Sequence, residues 1–280
     1  MKIKNSFGLL GFQIENSLSP YIHSQFFNLL GIKESYSIFN VPPENFTDFF
    51  KKIHNLKGFN VTIPYKDKVF EKIQNKSSTA KSFKTTNTVT KTKNQFICHN
   101  TDYFGFSKSL EHFEVEIKNN ALLLGLGGAG KIVAKKILNS SSFLTIAVRK
   151  NSISKAKKTL DSIIPDKNIK NFEVVDINKI PKKIYNIIIN ATPIGMPHLN
   201  KTPIEKEFLF GCKTAIDLIY YPTQTKFLNM AKKLRIKTIN GLFMLVAQAK
   251  KSDELFLEVN FKKDYIFLVY KKLKQFLKTK

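Results

Sequence analysis

The residues best suited to chemistry fall into two groups. One is a glycine turn, Gly125-Leu126-Gly127-Gly128-Ala129-Gly130, entered from the apolar run Ala121-Leu122-Leu123-Leu124. It leaves through Ile132-Val133-Ala134-Lys135-Lys136-Ile137-Leu138, whose apolar residues recur at helical spacing. This is G-x-G-x-x-G with a strand before it and a helix after it, the setting in which the pattern binds a dinucleotide. Gly125 is expected to make the tight turn, Gly127 to let the backbone approach a pyrophosphate, and Gly130 to let helix and strand pack closely. The helix N-terminus then offers free N–H groups and a partial positive charge to the phosphates. The next strand, residues 143–148, ends in Arg149-Lys150. An acid at that position would bind the ribose 2′-hydroxyl of NAD. Guanidinium and ammonium groups suit the 2′-phosphate of NADP instead, so NADP is the expected cofactor. The alternative is a solvated basic loop.

The other group lies in the first half, at polar positions near the ends of apolar segments. Ser17 and Ser19 either face a crevice or only cap the helix that Pro20 opens. Asn60 and Thr62 alternate with Phe59, Val61 and Ile63, so they share one face of a strand. Lys66 follows at the start of a helix, where the dipole favours anions, and that mild conflict marks it as a residue with a role. Its bland alternative is one more surface lysine. Asn87 and Asp102 hold comparable polar positions, with helix capping as the alternative for Asp102.

These residues must be positioned by an α/β framework. In the first half, strands are expected at residues 6–11, 36–39 and 59–63, a hairpin at 86–90 and 95–98, and helices at 20–30, 43–54, 65–74 and 102–113. Ser19 is expected as an N-cap. In the second half, strands are expected at 121–124, 143–148, 172–175, 186–190, 214–217 and 236–239, with helices between most of them. Such alternation predicts a doubly wound nucleotide-binding sheet. The tail reads as three helices, 242–251, 252–257 and 263–277, folding back onto the N-terminal domain. The expected organisation is two α/β domains. Residues 1–103, with 241–280 packed against them, form a substrate and catalytic domain, and 104–240 form a Rossmann-type NADP-binding domain.

Composition narrows the class. The chain has 280 residues and a formal net charge of +25. The lysines are spread over almost every predicted helix, with no basic tail and no zinc-finger or ribonucleoprotein motif, so no specific nucleic-acid function is expected. No apolar run reaches the roughly 18 residues that a membrane helix needs, and the stretch after residues 1–5 lacks the longer apolar segment and small-residue cleavage site of a signal peptide, so none is expected. Cys98 and Cys212 stand far apart without metal-ligand spacing, so the expectation is a cytoplasmic protein with no metal.

Taken in order, the polar segments resemble the shikimate dehydrogenase family along nearly the whole chain. Asn16-Ser17-Leu18-Ser19-Pro20-Tyr21-Ile22-His23 resembles H-S-x-S-P-x-x-H, and Gly58 to Lys66 matches G-x-N-V-T-x-P-x-K. Thr86-Asn87-Thr88 resembles V-N-T, and Asn100-Thr101-Asp102-Tyr103-Phe104-Gly105 matches N-T-D-x-x-G. Asn190 to Met196 resembles N-A-T-S-x-G-M, Asp217 to Pro222 resembles D-x-x-Y-x-P, and Gly241 to Ala249 matches G-L-x-M-L-V-x-Q-A. There are departures. Asn16 and Gln13 stand for a histidine and a proline, and Val148-Arg149-Lys150 stands for N-R-T.

The resemblance implies reversible NADPH-dependent reduction of 3-dehydroshikimate to shikimate, in aromatic amino-acid and chorismate biosynthesis. It implies that Ser17, Ser19 and Tyr220 hold the substrate carboxylate, and that Asn60, Thr62, Asn87, Asp102 and Gln248 contact ring hydroxyls. Lys66 and Asp102 would be the catalytic pair, Lys66 supplying a proton as hydride arrives and Asp102 orienting it. Cofactor contacts are implied for Gly125, Leu126, Gly127, Gly128, Ala129, Arg149, Lys150, Thr192, Leu218 and Gly241. The substrate would lie in a cleft between two domains that close to exclude water, in a monomer or homodimer. A quinate/shikimate dehydrogenase with relaxed cofactor use is the alternative within the class. A ligand-binding regulator that has lost turnover is the alternative outside it.

Overall fold

The computed structural model describes residues 7–140, 142–164, 166, 169 and 171–279. Residues 1–6, including Ser6 of the first expected strand, lie outside the described residues. The chain divides into two compact units, one running to Gly105 and resuming at Val246, the other spanning Phe106–Leu245.

The first unit contains β1 (Phe7–Gly11), α1 (Ser19–Leu29), β2 (Tyr36–Asn40), α2 (Phe46–Lys52), β3 (Gly58–Val61) and α3 (Lys66–Lys72). These are followed by β4 (Asn75–Lys76), α4 (Ser78–Phe83), β5 (Thr88–Thr92), β6 (Gln95–His99) and the start of α5 (Asp102–His112). Its sheet runs β2-β1-β3-β5-β6-β4. The first three strands are parallel, while β5 joins antiparallel to both β3 and β6. A core of Leu10, Phe39, Phe46, Phe59, Tyr65 and Val89 lies against the sheet.

Several local outcomes differ from expectation for identifiable reasons. Strand β3 stops at Val61 because Thr62 closes a turn, its carbonyl accepting the Tyr65 N–H at 2.9 Å. The expected helix 43–54 is broken into 3₁₀ turns at Pro43–Asn45 and Ile53–Asn55 around α2. The breaks fall at Asn45, His54 and Asn55, which are weaker helix formers than leucine or lysine. Ser19 is not an N-cap. It is the first residue of α1, Leu18 is the cap, and the Ser19 N–H is taken by Ser17 Oγ at 3.2 Å.

The second unit completes α5 and adds β7 (Asn120–Leu124), α6 (Gly128–Leu138), β8 (Phe143–Val148), α7 (Ile153–Ile163), β9 (Phe172–Asp176) and β10 (Ile187–Asn190). Then come β11 (Thr214–Asp217), α8 (Lys226–Lys233) and β12 (Lys237–Asn240). The order β9-β8-β7-β10-β11-β12, all parallel, is the Rossmann order 3-2-1-4-5-6. Strands with both faces covered read as continuous apolar runs. Leu122, Leu123, Leu124, Ile188 and Ile189 are accordingly fully buried. Each such side chain contributes about 1.5–3 kcal/mol relative to exposure.

The tail forms two helices rather than three: α9 (Leu242–Leu257) and α10 (Tyr265–Phe276). No glycine or proline separates Lys251 from Ser252. Ser252 Oγ bonds the Gln248 carbonyl one turn back, and Lys250 pairs with Glu254 across another turn, so α9 continues. From Val246 onward the tail belongs to the first unit, where α10 lies against α1. Among the described residues no helix is long and apolar enough to cross a membrane.

Candidate functional site

In the first unit, the turn after β3 delivers Lys66 as the opening residue of α3, and the end of β6 delivers Asp102 as the opening residue of α5. Lys66 Nζ lies 2.6 Å from Asp102 Oδ2, with side-chain exposures of 18% and 9%. A pair so shielded from water interacts more strongly than a surface ion pair. The two helix dipoles act oppositely, since an N-terminus favours the carboxylate of Asp102 and disfavours the ammonium of Lys66. Asp102 is therefore the fixed anion to which Lys66 is drawn. Capping does not account for Asp102, because Asn100 Oδ1 accepts its N–H at 3.1 Å and its own carboxylate faces side chains.

Asn87, just before β5, fills the other carboxylate oxygen: its Nδ2 lies 2.8 Å from Asp102 Oδ1. The same nitrogen lies 2.8 Å from Thr101 Oγ1 and 3.1 Å from Gln248 Oε1 of α9. Lys66, Asp102, Asn87 and Gln248, far apart in sequence, thus meet in one polar cluster. Ser17 and Ser19 form a second group, their hydroxyls 3.2 Å apart. Thr62 is half-buried in the turn before Lys66. Asn60 lies deeper than Thr62. It is 4% exposed, its Nδ2 faces the Asn87 carbonyl, Thr88 Oγ1 and Ser252 Oγ, and its Oδ1 accepts from Tyr36 OH at 2.8 Å. It braces the cluster from beneath.

Sequence reasoning gave no site role to Thr101, Ser252, Tyr36 or His23. For Ser252 a signal existed, since it lies four residues after Gln248 on the same helix face. His23 of α1 meets Asp253 of α9 through Nδ1–Oδ1 at 2.6 Å and stacks on Tyr36 at 3.9 Å. Burial pushes the Asp253 carboxyl up to about 6, against the lowering effect of His23. That buried contact ties the helix carrying Ser19 to the helix carrying Gln248.

In the second unit, Gly125 has φ +88°, the left-handed region open to glycine. A Cβ on Gly130 would lie 2.5 Å from the Gly125 carbonyl oxygen, so α6 packs directly on the turn. A Cβ on Gly127 would meet nothing within 4 Å. The turn is thus closed on its protein side and open at the N-terminus of α6, which fits a pyrophosphate beside Leu126, Gly128 and Ala129. Arg149 and Lys150 are exposed at the end of β8. Thr192 follows β10, its N–H and hydroxyl both bonded to Asn190 Oδ1. Asn190 in turn donates to Asp217 Oδ1 at 3.0 Å, and Asp217 also accepts from the Ile219 N–H and Thr225 Oγ1. Burial raises the Asp217 carboxyl to about 6, opposed by those bonds. Asp217 thereby ties down both the loop of Thr192 and the loop carrying Leu218 and Tyr220. Gly241 lies against the latter, its N–H bonded to the Ile219 carbonyl at 3.0 Å.

A Rossmann-ordered sheet with an open glycine turn, and a carboxylate–ammonium pair held in a polar cluster, define an α/β oxidoreductase that uses a nicotinamide dinucleotide. Comparison with known proteins narrows this. The shikimate dehydrogenase substrate binding domain matches residues 9–89. The NADP(+) shikimate dehydrogenase of Clostridium perfringens is 34% identical over 273 residues, covering 96% of this chain and 98% of that one. The crystal structure of shikimate dehydrogenase 1 from Peptoclostridium difficile superposes with a TM-score of 0.86 at 30% identity, over 97% of this chain and 98% of that one. The shikimate 5-dehydrogenase of Thermus thermophilus, solved with NADP(H) and shikimate, gives 0.81 at 26% identity, over 95% and 98% of the two chains. The chain belongs to the shikimate dehydrogenase family.

Proposed function

We infer that this protein catalyses the reversible NADPH-dependent reduction of 3-dehydroshikimate to shikimate, an oxidoreductase step of aromatic amino-acid biosynthesis. The observation that carries the reading is the Lys66–Asp102 pair at 2.6 Å, joined to Asn87 and through it to Gln248, in a chain of this family. NADPH, when bound, supplies hydride to the carbonyl carbon. Negative charge then develops on the carbonyl oxygen, and Lys66 meets it with an ammonium that stabilises the charge and donates a proton. Asp102 orients that ammonium. Gln248, Asn87 and Thr62 address the ring hydroxyls, while Ser17, Ser19 and Tyr220 address the carboxylate. Gly125 to Ala129, Thr192, Leu218 and Gly241 hold the cofactor, with Arg149 and Lys150 on its 2′-phosphate. The first unit is the substrate and catalytic domain, and the second is the NADP domain. The two buried, unpaired cysteines suit a reducing cytoplasm, and the working form is a monomer or homodimer.

The function is tested by following NADP+ reduction with shikimate, against quinate and against NAD+. Turnover with shikimate and NADP+ far above the other combinations supports the reading. Comparable turnover of quinate with NAD+ moves it to a quinate/shikimate dehydrogenase, and no turnover of any combination removes it.

Arg149 carries a second test. Its exposed guanidinium meets a 2′-phosphate with charge-assisted bonds that NADH lacks. Arg149→Ala is expected to raise KM for NADPH strongly and KM for NADH little. Equal changes in both would remove Arg149 from the phosphate site.

The serines carry a third. Their hydroxyls face each other, and Ser17 also holds the start of α1. The Ser17→Ala, Ser19→Ala double variant is expected to weaken shikimate binding by roughly 1–3 kcal/mol, one to two hydrogen bonds. An unchanged shikimate KM alongside a lowered melting temperature would leave them only a structural role.

A further inference from the structure

The shortest contacts of the polar cluster define an arrangement of protons that gives Thr101 a role. The Thr101 backbone N–H, which can only donate, lies 2.8 Å from one end of the Asn87 carboxamide, so that end is Oδ1. The other end, Nδ2, is then a pure donor, and it faces Asp102 Oδ1 and Thr101 Oγ1, each at 2.8 Å. These two acceptors match its two protons. Gln248 lies farther from Asn87, at 3.1 Å, and turns its oxygen inward.

Beneath Asn87 lie three hydroxyls. Thr88 Oγ1 is 2.8 Å from Ser252 Oγ, and Thr101 Oγ1 is 3.1 Å from Ser252 Oγ. The Ser252 proton goes to the Gln248 backbone carbonyl, which can only accept, at 3.0 Å. Its two lone pairs are met by Asn60 Nδ2 at 2.9 Å and by the Thr88 hydroxyl, which lies nearer to Ser252 Oγ at 2.8 Å than to its other acceptor, Asn87 Oδ1, at 3.1 Å. With Ser252 saturated, two acceptors lie 3.3 Å from the Thr101 hydroxyl, Thr88 Oγ1 and Gln248 Oε1, and the proton is assigned to Gln248 Oε1, to which none of the protons placed above goes. The relay therefore runs from Asn87 Nδ2 through the Thr101 hydroxyl to the Gln248 oxygen.

We propose that Thr101 is a positioning residue for the reaction: its hydroxyl holds the Gln248 oxygen inward, so that Gln248 meets a ring hydroxyl of the substrate as a hydrogen-bond donor. This rests on the functional reading above, in which Gln248 binds substrate. Thr101 itself touches no reacting atom. It acts by choosing which end of the Gln248 carboxamide the substrate meets, and the matching ring oxygen must accept. A substrate presenting only a donor there is refused.

The test is a mutant cycle on the full chain, measuring kcat, KM for shikimate, KM for NADP+ and melting temperature for Thr101→Val, Thr101→Ser, Gln248→Ala and the Thr101→Val, Gln248→Ala double variant. Loss of one hydrogen bond to a neutral partner corresponds to about tenfold. Thr101→Val is expected to raise KM for shikimate by about that factor, with a smaller change in kcat and none in KM for NADP+. Thr101→Ser, which keeps the hydroxyl, restores the wild-type KM. The double variant is expected to be no worse than Gln248→Ala, because Thr101 acts through Gln248. Effects that multiply, a serine variant as impaired as valine, or an unchanged shikimate KM in Thr101→Val each overturn the proposal. Should the valine variant fail to fold, Thr101→Ala removes the hydroxyl without adding bulk and carries the same cycle. Wild-type enzyme inactive on shikimate overturns the functional reading instead, whereas active wild type with a multiplicative cycle overturns only the role of Thr101.

Discussion

Lys66→Ala is expected to lower kcat by at least about 10²–10⁴-fold while changing KM for shikimate far less. The expectation follows from where charge appears. The substrate ketone carries little charge in the ground state, and its oxygen becomes an alkoxide only as hydride arrives. An ammonium 2.6 Å from a shielded carboxylate is aimed and held before the reaction, so its stabilisation is realised mainly in the transition state. The opposing dipole at the start of α3 also means that Lys66 is not there to cap its helix. Steady-state kinetics with saturating cofactor and varied shikimate separate the possibilities. A raised KM with an intact kcat would make Lys66 a ground-state anchor.

The second large effect is at Asp102. An asparagine keeps the shape but offers one acceptor oxygen where the site needs two. Lys66 Nζ donates from one side and Asn87 Nδ2 from the other, and Asn87 cannot turn over because the Thr101 N–H holds its oxygen. Asp102→Asn therefore places two donors face to face on one side and removes the charge that draws in the ammonium. A fall in kcat of about 10²-fold or more is expected, with the Lys66→Ala, Asp102→Asn double variant little worse than the worse single one. Losses that multiply in the double variant would mean that the two side chains act independently.

Much of this was readable in the chain, and the reasons differ by element. Strand β8 ends at Val148, where its apolar run ends, because a sheet covered on both faces favours apolar residues. The glycine turn was readable because each glycine answers a separate steric demand, φ +88° at Gly125 and a 2.5 Å approach at Gly130. Asn60 was not, since alternation tells which face a residue shares but not how deep it lies. Its burial depends on Tyr36 and on Ser252, which arrives from α9 some 190 residues later, at a sequence separation of 192. Ser19 looked like a cap because Ser-Pro opens helices, yet Ser17 took its N–H first. The His23–Asp253 contact was hidden for a similar reason, as neither helix alone shows that its buried polar residue has a partner.

The central claim is that Lys66 acts on the hydride-transfer step itself. The most direct measurement is single-turnover decay of NADPH absorbance when Lys66→Ala enzyme, preloaded with NADPH, is mixed with excess 3-dehydroshikimate. The account predicts a decay slower than wild type by at least about 10²-fold, with no fast phase. A decay at the wild-type rate, with slow steady-state turnover arising only before or after it, would contradict the account.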